Sequence, residues 1–286
     1  MVTGAGVEEE ESDWVEGGLA AARLRILERQ GRIEEYLNLA RATGQRVSYA
    51  TMLVRLGRIE EATDCGLGDL ITADEALALA RALHEHGATP EALRVADRGL
   101  TLSGQQATIA RWLRDQAKAS GQTGRALGAA LVAMRESPSL ADYEAVQALA
   151  GERWPALREE LLAGLRKSTS LGGQAKVDIF LHEGLIDDAI AVADAASYSY
   201  SLVEKVVDAA IGSRPEWAIR ASRQQAEPLM DAGKSQQYHH AIRWLGKARA
   251  AYLAAGHQAE WRAYLNDLLA RHARKYSLVP GLKGLL

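Results

Sequence analysis

The sequence predicts an all-α fold, an α-solenoid of antiparallel helical hairpins, and three observations carry that prediction. Ala and Leu dominate a chain of 286 residues that is 48% apolar, and Phe occurs once. That composition favours helix, whereas a sheet draws on β-branched and aromatic residues. Gly is frequent, with 26 copies, yet it falls mostly between helix-like segments. The third observation is a repeated phrase. Its cleanest copy is GQTGRALGAALVAMRESP, from Gly121 to Pro138: a glycine ends one helix, Ala126, Ala130 and Ala133 form a small-residue stripe on the next, and Pro138 stops it. The phrase returns at Gly87 with Ala92, Ala96 and Gly99, and at Gly184 with Ala189, Ala193 and Ala196.

Taken in order, residues 1–12 are acidic, Gly-containing and almost without bulky apolar groups, the composition of a disordered segment. Asp13 is the expected N-cap of the first helix, which carries Leu19, Leu24, Ile26 and Leu27 and ends before Gly31. From there a helix-ending glycine is followed, five residues later, by a small or aromatic residue. Gly31 leads to Tyr36, Gly44 to Tyr49, Gly57 to Ala62, Gly87 to Ala92 and Gly121 to Ala126. Gly151 leads to Ala156, Gly184 to Ala189, Gly212 to Trp217, Gly233 to Tyr238 and Gly256 to Trp261. Glycine accepts the left-handed conformation that closes a helix, and turns this short make neighbouring helices antiparallel. GLGDL, residues 66–70, reads as a further turn. The main glycines at 31, 57, 87, 121, 151 and 184 are spaced by 26, 30, 34, 30 and 33 residues, periods of a helical-hairpin solenoid.

Gly121, Ala126, Ala133 and Pro138 resemble the turn glycine, packing alanines and terminal proline of tetratricopeptide repeats. Gly87–Ala92 and Gly184–Ala189 match in part, and Tyr49–Ala50 and Leu79–Ala80 fit the family's large–small pair; its early Trp is absent. The resemblance implies a divergent tetratricopeptide-like array wound as a right-handed superhelix; a different α-solenoid is the alternative.

The tail changes rhythm. Within EWAIRASRQQAEPLMDAG, Pro228 predicts a kink or break. Ala241, Leu245, Ala248 and Tyr252 then share one face by helical spacing, as do Trp261, Leu265, Leu268 and Leu269. Arg271, His272, Arg274 and Lys275 fall in the last turn of that segment, where the helix dipole favours cations. The predicted organisation is therefore a disordered segment 1–12, helical repeats over 13–236 and a helical cap over 237–286. The text from Tyr238, YHHAIRWLGKARAAYLAAGHQAEWRAYLNDLLARHARKYSLVPGLKGL, resembles the C-terminal end of bacterial SWIM zinc-finger proteins. That family's zinc module needs a CxC pair and a later CxH. Cys65 is the only cysteine here, so the module's zinc role does not transfer.

Other features bound the function. No stretch approaches a membrane-spanning length, the N-terminus lacks a signal-peptide layout, and one cysteine forms no internal disulfide; the expectation is a cytoplasmic chain with no membrane partner. The net charge of −3 conceals an asymmetry. Residues 1–16 hold six carboxylates and no Lys or Arg, while from 240 onward eight Lys and Arg face only Glu260 and Asp267. His84 and His86 are two apart on a helix, so they do not converge as an i, i+4 metal pair does. His239 and His240 are read as diverging too. His182 and His272 sit at helix C-termini, where a partly cationic ring is favoured. No phosphate-binding loop, dinucleotide fingerprint or GxSxG elbow occurs. Cys65 reads as a buried packing thiol, and Trp217, Trp244 and Trp261 as core or cap residues. A non-enzyme with no cofactor and no metal is expected.

In tetratricopeptide arrays a partner binds the concave surface lined by the first helix of each hairpin. By resemblance the inward positions fall on Arg25, Arg29, Arg55, Arg81, His84, Arg111, Asp115 and Lys118, then on Gln174, Asp178 and His182. Such a groove is basic in its first half and mixed in its second. It suits a protein or acidic peptide, or a C-terminal carboxylate, with Arg55, Arg81, His84, Arg111 and Lys118 as the contacts. The competing reading is that these arginines pair with neighbouring carboxylates or cover apolar surface with their stems. The alternative function is nucleic-acid association through the basic C-terminal helices.

Overall fold

A helix-closing turn, repeated with little variation, sets the architecture. At Gly121 (φ 73°) the Gly121 N–H donates to Lys118 O at 3.0 Å and the Gln122 N–H donates to Ala117 O at 2.8 Å, the paired bonds of a Schellman motif. Gln122 is then the N-cap of the next helix, at φ −87° and ψ 63°. Arg32, Gln45, Arg58, Ala88, Leu185 and His257 occupy the same position with nearly the same dihedrals after their own turn glycines.

The computed structural model describes residues 18–168, 172–196 and 198–286. Helix α1 covers 18–29. It is followed by α2 Ile33–Ala42, α3 Arg46–Arg55, α4 Ile59–Gly68, α5 Ala73–Glu85, α6 Thr89–Gly99, α7 Gln106–Ala119, α8 Thr123–Glu136 and α9 Leu140–Ala150. Then come α10 Trp154–Lys167, α11 Gly173–His182, α12 Ile186–Ala195, α13 Tyr200–Ala210, α14 Pro215–Asp231, α15 Tyr238–Ala254, α16 Gln258–Arg271 and α17 Val279–Lys283. Among the described residues the one extended pairing outside helices is a bridge between Thr72 and Ser103. The fold is thus all-α, as predicted. The Asp13 N-cap and the disorder expected for 1–12 lie outside the described residues.

The chain forms two compact units. One is the chain up to Ser137 together with Ala141–Pro155; the other is Pro138–Leu140 with Ala156–Leu286. In the first, α3, α5 and α7 adjoin in sequence, α4 adjoins α6, and each of α3, α5 and α7 packs on its own hairpin partner. This connectivity makes two layers. In the second unit α11 packs on α12 and α13, α14 lies along α15, and α15 also meets α16 and α17.

Small side chains fill the seams. Ala62, Ala92, Ala126 and Ala189, each five residues past a turn glycine, are fully buried. A Cβ added to Gly99 would lie 2.3 Å from Ile109 Cδ1 and 2.8 Å from Ala76 Cβ; one added to Gly66 would lie 2.7 Å from Leu79 Cδ2. The tail stripe is buried as predicted, at Ala241, Leu245, Ala248 and Tyr252, and Trp217, Trp244 and Trp261 are core residues.

Several expectations are corrected. GLGDL is not a turn at its start: Gly66 and Gly68 belong to α4, and Gly66 is where Leu79 and Val95 cross it. Leu19 and Ile26 are 66% and 55% exposed, because the buried face of α1 runs through Leu24 and Leu27. Ala156 is exposed, since a 3-10 turn at Gly151–Arg153 rotates α10 and buries Leu157 instead. Gly212 is absent from the positive-φ glycines. The α13–α14 turn is closed by the Arg214 N–H donating to Ala210 O at 2.7 Å and restarted by Pro215. Pro228 does not break α14. It stands close to the C-terminal end, where few helical bonds remain to be lost.

Candidate partner-binding site

In the first unit the outward stripe of α5 is Ala78, Arg81 and Glu85, and that of α7 is Thr108, Trp112, Asp115 and Lys118, at helical spacing, with Ala78 and Trp112 half-buried and the others exposed. Both helices bury their opposite stripes, Leu79–Leu83 and Ile109–Leu113, in the core. The two are joined at the surface by His84, whose ring meets Trp112 edge-on with centroids 6.0 Å apart.

The five residues expected to contact a partner fare differently. Arg55 is exposed and pairs with Glu28 of α1. His84 Nδ1 shares a hydrogen bond with Thr89 Oγ1 at 3.1 Å. Arg111 is half-buried and bound to other parts of the fold. Its Nε and Nη2 donate to Asp142, Nη2 at 2.8 Å, and Nη2 also donates to Ser137 O at 2.9 Å. The hydrogen bond to Asp142 raises the Arg111 guanidinium above its ordinary value. Asp142 itself is 2% exposed and accepts from Arg114 Nη1 at 3.1 Å as well. Arg81 and Lys118 are exposed and have no hydrogen bond or ion pair with a described side chain. The basic face is therefore narrower than the sequence implied.

Across the chain, basic residues meet carboxylates about one repeat away. Arg125 pairs with Asp97 at 3.1 Å, Arg158 with Glu183 at 2.6 Å, Lys205 with Asp178 at 2.6 Å and Arg214 with Asp187 at 2.7 Å. Carboxylates also meet part of the basic tail, at longer and shorter separations. Arg243 pairs with Glu204, Lys247 with Glu204 and Asp208, and Arg271 with Asp267. Lys275 donates to the Met230 carbonyl at 2.6 Å, near the end of α14. Three of the eight basic residues of the tail are thus matched by the protein's own acids.

Other polar groups are accounted for by packing. Cys65 is buried, and burial, reinforced by Asp69, pushes its thiol up to about 11. His272, expected to favour charge at a helix end, is instead held below its ordinary value, first by burial. Asp231 stands 3.7 Å from its Nε2, too far to hydrogen-bond. His239 and His240 do not diverge: their ring centroids are 3.8 Å apart. Among the described residues no group of His, Cys, Asp or Glu could hold a metal ion, and no helix is long and apolar enough to cross a membrane. Sequence reasoning missed one cluster. Arg223 lies over the Tyr264 ring at 4.1 Å and donates to Glu227 at 3.2 Å, which also accepts from the Tyr264 hydroxyl at 2.8 Å. Burial pushes the Tyr264 hydroxyl up. The i, i+4 spacing of Arg223 and Glu227 was legible; the tyrosine comes from α16.

No family model matches the chain, and no curated protein matches it by sequence. Among solved structures, one described as a circular tandem repeat protein with novel repeat topology and enhanced subunit contact surfaces aligns with 95% of this chain and 72% of its own, at 15% identity and a TM-score of 0.24. At that level the similarity adds nothing to the architecture already given by the helix packing.

Proposed function

We propose that the protein is a non-catalytic interaction scaffold whose α5–α7 face takes an acidic segment of a protein partner. The observation that supports this reading is the contrast among its cations. About half of the arginines, Arg111 among them, are matched by a carboxylate of the same chain, while Arg81 and Lys118 stand exposed on adjacent helices with no carboxylate partner among the described residues. Trp112, half-buried on α7 and edge-on to His84 of α5, supplies an apolar surface on the same pair of helices. An acidic side chain or a C-terminal carboxylate would complete the unmatched charges through charge-assisted hydrogen bonds. Rim charges of this kind govern association rate and partner choice more than affinity.

The test is an array of acidic and neutral peptides screened with wild type and with the Arg81→Glu, Lys118→Glu double variant. Arg111 is left intact because its removal would take away most of the hydrogen bonds that hold the buried Asp142. Acidic hits of wild type should weaken by roughly tenfold or more in the double variant and in high salt. Unchanged binding of every hit would overturn the site.

A further inference from the structure

The second unit holds a cleft that the interaction reading does not use. Residues of α10, α11 and α12 line a volume of about 700 Å³, within the range of small-molecule sites. Its walls are largely apolar, with Leu165, Phe180, Ala191 and Val192. Lys176 of α11 also lines it and is only 8% exposed. A lysine ammonium has three N–H donors and no acceptor. One donates to the Ser168 carbonyl, and no carboxylate among the described residues pairs with Lys176. Arg166 and Asp188 line the cleft too, but they answer each other: Arg166 Nε donates to Oδ1 at 2.9 Å and Nη2 to Oδ2 at 2.7 Å.

The cleft therefore carries one buried cation without a counter-charge, set against an apolar wall. Burying a charge is costly unless it is paired and hydrogen-bonded. A ligand that brings one negative charge and an apolar body answers both features. A dianion fits less well, because the second cation is already neutralised by Asp188.

We propose that this cleft binds a small monocarboxylate with an aliphatic body, its carboxylate on Lys176 and its chain against Leu165, Phe180 and Val192. Titration calorimetry on the full chain with octanoate, octanol, octylammonium, acetate and inorganic phosphate tests this. Octanoate should bind one to one, and each of the other four should bind at least about tenfold more weakly, the effect of one charge-assisted hydrogen bond. Lys176→Met keeps the length of the side chain without its charge. It should weaken octanoate by about tenfold or more while leaving octanol unchanged. Ala191→Trp places bulk on an exposed lining position and should abolish octanoate binding with Lys176 in place. Absence of octanoate binding to wild type at about 5 mM, equal binding by octylammonium or phosphate, or full-strength octanoate binding by Lys176→Met would overturn the proposal. The ligand series on wild type decides the matter even where a variant fails to fold.

Discussion

Gly99→Ala adds one methyl group to a helix and is expected to destabilise the protein, although the same change in an open helix stabilises. Gly99 ends α6 where that helix crosses α5 and α7. The new Cβ would stand 2.3 Å from Ile109 Cδ1 and 2.8 Å from Ala76 Cβ. Ile109 is 1% exposed and Ala76 fully buried, so neither has free space to retreat into. The isoleucine tip can rotate off its rotamer, at about 0.5–1.5 kcal/mol. The alanine methyl has no torsion to use, so the helix axes must separate. Overpacking of this kind costs about 1–3 kcal/mol, and relief from the glycine's chain entropy offsets about 0.5–1 kcal/mol. The net expectation is a loss of about 1–2 kcal/mol. Gly128→Ala on α8 is the internal control: that glycine is exposed, and a Cβ there meets nothing within 4 Å. It should gain about 0.5–1 kcal/mol. Urea unfolding followed by tryptophan fluorescence reads both as shifts in midpoint at unchanged slope. Adding Ile109→Val to Gly99→Ala removes the nearer clash and should show favourable coupling in a double-mutant cycle. If Gly99→Ala is as stable as wild type, the close-seam account fails.

Three further outcomes are expected. Asp142→Ala should cost about 1.5–3 kcal/mol, because it removes the buried acceptor shared by Arg111 and Arg114, whereas Asp187→Ala, on the exposed pair with Arg214, should leave the unfolding midpoint unchanged. Stability should fall as pH drops below about 6.5. His272 has its folded pKa lowered, so the unfolded chain takes up its proton first; the loss runs from the unfolded pKa down to the folded one, and His272→Gln should flatten that part of a stability-versus-pH curve. At pH 8 the Cys65 thiol, pushed up to about 11, is roughly a thousandth thiolate. A disulfide reagent should therefore label the native protein slowly and the urea-unfolded protein at the rate of a free cysteine; fast native labelling would contradict its burial.

The turn glycines were the most legible part of the fold, because their requirement is local. A left-handed residue, two short backbone bonds and a restart of the helix are all set within about six residues, and glycine is the residue that permits it. The buried alanines were legible for a related reason: once the turn is fixed, helical spacing places them. Ala156 and Gly212 show the limit, since a 3-10 turn in one case and a proline restart in the other replace the standard geometry. The candidate site was less legible. Arg111 and Arg81 look equivalent as sequence, both arginines on first helices of hairpins. One meets Asp142, 31 positions further on, and the other meets no carboxylate. Lys176 gave no signal, and Arg223 only its i, i+4 spacing to Glu227, because the cleft wall and the Tyr264 ring come from other helices.

By itself, then, the sequence determined the helices, their turns and the small-residue seams, all of which follow from local backbone preference and spacing along one helix. The tertiary structure decided which charges remain available to a partner. Whether a guanidinium is free or paired depends on what the next repeat sets beside it, and the same holds for a lysine buried at the wall of a cleft. The pairings of Arg55, Arg111 and Arg158 join residues about one repeat apart, beyond the reach of any pattern along a single helix.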